Sequence, residues 1–261
     1  MNRSLLAFAL SLGLAAGASA QNSATTSQTG TGNDVTVDQI YTSGDVSTVN
    51  QVAIDQSGAS HTAIARQRGA GNDIDIDQSG ANHVVNAEEL LGYSNSMVIE
   101  QVGGDAATAT GGRNRVSAAV RGDLNDVDIL QSGSGNEALI NLKAGQNDEN
   151  VFNLSQTGAD NEIEVRGSGN GYIDRNTLMV EQVGDRNTLG VRGGPADGVI
   201  FASNTDDNAM DVYQFGNDNA ATIEFAAQSS FNTVDLDQLS NGNTATITFD
   251  GTNNTSTITQ Q

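Results

Sequence analysis

The chain has 261 residues, with 11 Lys+Arg against 32 Asp+Glu for a formal net charge of −21, and it contains 30 Gly, one Pro, two His and no Cys or Trp. Such acidity argues against nucleic-acid or anionic-membrane partners. Without cysteine there are no disulfides and no thiolate chemistry, so packing and hydrogen-bond ladders must hold the fold.

In chain order, residues 1–20 carry Arg3, an apolar run from Leu5 to Ala16 and then Ala18-Ser19-Ala20. This is the layout of a secretory signal peptide cleaved after Ala20, and the run is too short to span a membrane. Residues 21–261 then read as one repeat domain. Within it, Asn is followed six residues later by Gln ten times: Asn22 and Gln28, Asn50 and Gln56, Asn72 and Gln78, Asn95 and Gln101, Asn125 and Gln131, Asn150 and Gln156, Asn176 and Gln182, Asn208 and Gln214, Asn232 and Gln238, Asn254 and Gln260. Apolar residues occupy the second and fourth places after most of these Asn, as in Asn150-Val-Phe-Asn-Leu-Ser-Gln156. All four positions share one parity, so in an extended strand they point to one face.

A four-residue turn follows the Gln, with Gly two residues on at Gly30, Gly58, Gly80, Gly103, Gly133, Gly158, Gly184 and Gly216, and Ser240 in the last unit. A second arm then opens at Asn33, His61, His83, Asn136, Asn161, Asn187, Asn219 and Asn243. After Gln101 the inward pattern resumes best at Asn114–Val120, which places an insertion in that turn. Return connections vary from four residues to the fourteen of Gly194–Asp207, where the single Pro, Pro195, removes no ladder bond. Fixed-period self-similarity of this kind predicts an all-β solenoid of about ten stacked two-armed rungs.

With like residues stacked at about 4.8 Å, Asn over Asn and Gln over Gln can satisfy each other, and the aliphatic columns supply burial. His61 and His83 are expected as substitutes in the second-arm Asn column, not as metal ligands. Outward positions are acidic, including Asp34, Asp38, Asp55, Asp73, Asp75, Asp77, Glu100, Asp126, Asp128, Glu181, Asp211, Asp235 and Asp237. Asp55, Asp77 and Glu100 should lie over one another, a solvated face whose repulsion low pH or cations would relieve. The first repeat begins at Asn22 and a half-repeat ends at Gln260, so neither end of the stack is expected to carry a cap, and the last half-rung invites another copy's second arm.

The turn pattern Gln-x-Gly-x-x-Asn, with His61-Thr-Ala63-Ile-Ala-Arg-Gln67, Asn136-Glu-Ala138 and Asn243-Thr-Ala245, resembles the curlin repeat of curli subunits, secreted bacterial proteins that form functional amyloid. The resemblance implies a cross-β solenoid that polymerises with itself at the surface of a Gram-negative bacterium, in biofilm matrix and adhesion. It also implies other curli subunits and an outer-membrane curli-type export channel as partners. The chain departs from that pattern in opening its first arms with Asn and in placing Leu142, Gly167, Gly193, Phe225 and Phe249 where the second arm would carry Gln. The alternative reading is a secreted β-solenoid adhesin that does not polymerise, with or without bound cations. An ice-binding face would need Thr-x-Thr over many rungs, which only Thr244, Thr246 and Thr248 with Thr255, Thr257 and Thr259 approach. Calcium-repeat echoes at Gly69–Asp73 and Gly30–Asp34 are more simply turn residues. The acids follow the repeat and do not cluster against a basic residue, so no catalytic residue, metal or cofactor is expected.

Overall fold

The computed structural model describes residues 22–41, 49–104, 113–141, 147–167, 172–190, 199–201 and 204–261; the leader expected at 1–20 lies outside them. Each described strand pairs in parallel with strands one repeat away and not with its neighbour in sequence. The first arms, from Ser23–Thr31 through Gln51–Ala59 to Thr255–Gln260, form one ten-stranded sheet in chain order. The second arms, from Asp34–Tyr41 through Thr62–Ala70 to Thr244–Phe249, form the facing sheet. Among the described residues this makes nine two-armed rungs and a tenth first arm, slightly fewer complete rungs than the repeat count suggested.

Alternation explains the two layers. In Asp73–Ala81, Ile74, Ile76 and Gln78 are buried while Asp73, Asp75 and Asp77 are exposed. The core is a thin strip of stacked columns, such as Val52-Ile74-Met97-Val127-Phe152 and Ile54-Ile76-Ile99-Ile129-Leu154 in the first sheet, facing Ala63, Val85, Val116, Ala138 and Ile163 in the second. At the far end of the second arms, Phe225 and Phe249 stack with ring centroids 5.4 Å apart, in the column that Gln39 and Gln67 occupy near the start.

Gln stands opposite Gln at every step of the first sheet. After Gln101 the second arm resumes at Arg115–Arg121, with Arg115 paired to both Val84 and Glu137, as the inserted-turn reading requires. One expectation needs correction. Val199–Phe201 pairs with Val165–Gly167 and with Ile223–Phe225, so the long excursion interrupts the seventh second arm instead of following it. Phe201 therefore takes the position assigned to Gly193, which lies outside the described residues. A bulge in the third second arm sets Glu88 and Glu89 against a single residue on each neighbouring strand.

Candidate functional site: amide ladders and open sheet edges

The inward Gln side chains are joined without a break. Gln28 Nε2 donates to Gln56 Oε1 at 2.8 Å, and the relay continues through Gln78, Gln101, Gln131, Gln156, Gln182, Gln214 and Gln238 to Gln260, each step 2.7–3.0 Å. The second N–H of most of these amides crosses to a second-arm carbonyl, as from Gln156 to Glu137 O at 3.1 Å and from Gln214 to Thr188 O at 3.0 Å. The Gln side chains thus tie each rung to the next, and most of them also tie one sheet to the other.

The first-arm Asn column runs with the opposite sense. Asn50 donates to Asn22 Oδ1, and the same contact recurs from Asn95 to Asn72 and through Asn125, Asn150, Asn176, Asn208 and Asn232 to Asn254, at 2.9–3.2 Å. Their Oδ1 atoms also accept the backbone N–H of the following Asn, including Asn72 to Asn50 at 3.0 Å. In the second-arm column, Asn136, Asn161, Asn187, Asn219 and Asn243 each donate a backbone N–H to the Oδ1 before it. His61 Nδ1 takes that acceptor role toward the His83 N–H at 3.3 Å, and each His Nε2 lies 3.0–3.2 Å from a carbonyl of its own turn. The rings stack at 5.1 Å. Burial lowers both imidazole pKa values, and the His61 ring lowers that of His83 further.

The turn glycines stack as closely as the amides. Gly58 has φ +131°, and a Cβ built there would lie 1.9 Å from the carbonyl oxygen of Gly80. At both corners the residue just before the Asn or His adopts a left-handed conformation, as at Ser60 and Asp160 on one edge and Leu124, Glu149 and Arg175 on the other.

Sequence reasoning missed a further ladder at the return corner. Asp123 Oδ1 accepts the Tyr93 N–H, Asp148 accepts from Asp123, Asp174 from Asp148 and Asp206 from Asp174, at 2.7–3.2 Å. The turn corner repeats the device with Asp185, Asn217 and Asn241. The signal was present: Asp-x-Asn recurs at 123–125, 148–150, 174–176, 185–187 and 206–208, with the Asp two residues ahead of the Asn that opens each arm. Arg175 and Arg186, in the left-handed places of one rung, grip Asp207 and Asp218 of the next with paired N–H donors at 2.7–2.9 Å. Burial, with Asp206 and Asp148 close by, raises the Asp174 pKa despite its backbone bond.

On the outside of the first sheet, Asp55, Asp77 and Glu100 do share a column, and Asp211 lies beside Asp235. Partial desolvation followed by like charge raises the carboxyls of Asp73, Asp77, Asp128 and Asp211. No group of three acidic or His side chains able to hold a metal ion occurs among the described residues, and no helix there is long and apolar enough to cross a membrane.

The two ends of the ladders are complementary. Gln28 leaves Oε1 facing outward, whereas Gln260 spends one amide N–H on Thr244 O and directs the other outward. Asn254 presents Oδ1 at the end where Gln260 presents a donor. Among the described residues nothing pairs with the outer edge of Ser23–Thr31 or of Thr255–Gln260.

Residues 48–80 match the family model described as Curlin associated repeat. The match spans both arms of the second rung and most of the first arm of the third. No curated protein and no solved structure matches the chain.

Proposed function

Because residues 48–80 carry a curlin associated repeat, we propose that the protein is a structural subunit of an extracellular, curli-type cross-β fibre and has no catalytic role. The observation that carries this reading is the unbroken Gln relay from Gln28 to Gln260, which exposes an acceptor at one end and a donor at the other. Like ends would set acceptor against acceptor, whereas unlike ends extend the ladder, so copies add head to tail and the fibre is polar. A heterologous contact of this kind does not close. Biofilm matrix and adhesion at a Gram-negative cell surface, a cleaved leader at 1–20, an outer-membrane curli-type export channel and co-assembly with other curli subunits belong to the same proposal.

The test is incubation of the purified mature chain. Dye-binding fibres with a meridional reflection near 4.7–4.8 Å are expected. A chain that keeps its β-sheet signal but stays monomeric at high concentration would sink the proposal and favour the non-polymerising adhesin.

A further inference from the structure

A shallow groove of about 400 Å³ runs along the stack on the outer face of the first sheet, from the fourth rung to the eighth. It exists because Asn153 and Ser155 on the sixth rung are short, while Leu130 before them and Met179 after them are long. Val98, Leu130 and Met179 are 43%, 40% and 48% exposed, an unusual amount of apolar surface for the outside of a parallel sheet. Glu100, Asp128, Glu181 and Asp211 alternate with them along the same two columns. No outward position of any first arm is Lys or Arg, so no cation from this face answers those carboxylates.

We propose that this groove binds an extended, cationic amphipathic peptide segment, with basic side chains on the carboxylates and aliphatic ones on Leu130 and Met179. The spacing selects the class. Glu100 and Glu181 share one column three rungs apart, as do Asp128 and Asp211 in the next, a separation of about 14 Å. An extended chain covers that distance in about four residues, which returns a side chain to the same face. Lys-x-Leu-x-Lys therefore matches acid, apolar, acid. Burial and neighbouring carboxylates already raise Asp128 and Asp211, so an incoming cation relieves an existing cost. A second copy docking by the same face would appose carboxylate to carboxylate.

The experiment is fluorescence anisotropy of a labelled peptide of Lys-Ser-Leu-Ser repeats titrated with the full mature chain, alongside Lys-Ser-Ser-Ser and Glu-Ser-Leu-Ser repeats. The Lys-Leu peptide should bind about tenfold tighter than the Lys peptide without Leu, and the Glu peptide should not bind. Met179→Ser, and separately Glu181→Gln with Asp211→Asn, should each weaken binding about tenfold. Asp55→Asn with Asp77→Asn, on the same face outside the groove, should leave it unchanged. Equal binding of the two Lys peptides, or an equal loss in the Asp55/Asp77 variant, would mean diffuse charge attraction and overturn the proposal. So would concentration-dependent self-association abolished by Met179→Ser, which would assign the groove to a second copy. The peptide comparison stands even if a protein variant folds poorly, and circular dichroism reports that directly.

Discussion

At Gln156 three bonds meet: it accepts from Gln131, donates to Gln182 and donates to the Glu137 carbonyl. Gln156→Ala leaves a buried donor and a buried amide oxygen without partners and removes one of the bonds to the Glu137 carbonyl, and should cost about 2–5 kcal/mol in a denaturant titration. The neighbouring glycine is constrained by shape instead. A Cβ on Gly158 would fall 2.0 Å from the Gly184 carbonyl at φ +122°, whereas Gly242, at φ +73°, has nothing within 4 Å. Gly158→Ala should therefore separate the rungs and lower stability by about 3 kcal/mol or more, and Gly242→Ala by only about 1 kcal/mol, the backbone cost alone. Equal losses would show that conformation, not close approach, selects glycine in this column.

At the scale of the element, each corner is as regular as the arms. Asp174 accepts the Asp148 N–H while its own charge sits between Asp148 and Asp206. Acceptor and charge can be separated: Asp174→Asn keeps an oxygen for the N–H and removes the repulsion, so it should be neutral or stabilising, whereas Asp174→Ala should lose about 1–3 kcal/mol. Thermal midpoints of the two variants decide whether the column is held by hydrogen bonding. This corner also shows where sequence reading ran out. The period-two alternation of Asn, apolar, apolar, Gln announced both sheets, and its restart at Asn114 located an insertion correctly. The Asp-x-Asn corner was obscured because the repeat was counted forward from each Asn, whereas the Asp lies two residues behind it, in connections that were read only for their length. Val199–Phe201 was missed for a related reason: three residues are too few to show a period, and only pairing to Val165–Gly167 and Ile223–Phe225 reveals them as a strand. The groove was illegible because it depends on Leu130, Ser155 and Met179, which are far apart in sequence and adjacent only once rungs stack.

At the scale of the whole molecule, the proposed end-to-end assembly makes growth depend on the ends of the stack and on its charge. Thr233 donates its N–H to the tenth strand, so by the same register Thr255, Thr257 and Thr259 direct theirs to the open side. Thr257→Pro removes a donor that no bond among the described residues uses, and should leave the folded subunit intact while blocking elongation at that end of a seed. Acidity acts through two sets of groups with opposite signs. Burial depresses the folded pKa of His61 and His83 below the ordinary 6.5, so as pH falls through about 6.5 the unfolded chain takes up protons first and stability is lost. For Asp73, Asp77, Asp128, Asp174 and Asp211 the folded pKa is raised above 3.8, so the folded chain takes up protons first and gains stability as pH falls toward that value. Fibre growth should slow below about pH 6.5 and then accelerate toward about pH 4, where the stacked carboxylates, closer than the ~8 Å screening length, lose their repulsion. Calcium at neutral pH should reproduce the acceleration without the slowing. In His61→Asn with His83→Asn the slow interval should vanish and the acid acceleration remain, because Asn fills the same column in most other rungs. Growth rates from seeded dye-binding assays across this range give the answer. A flat profile with and without calcium would remove the carboxylate columns from any part in assembly, and a slow interval that survives the double substitution would remove the histidines.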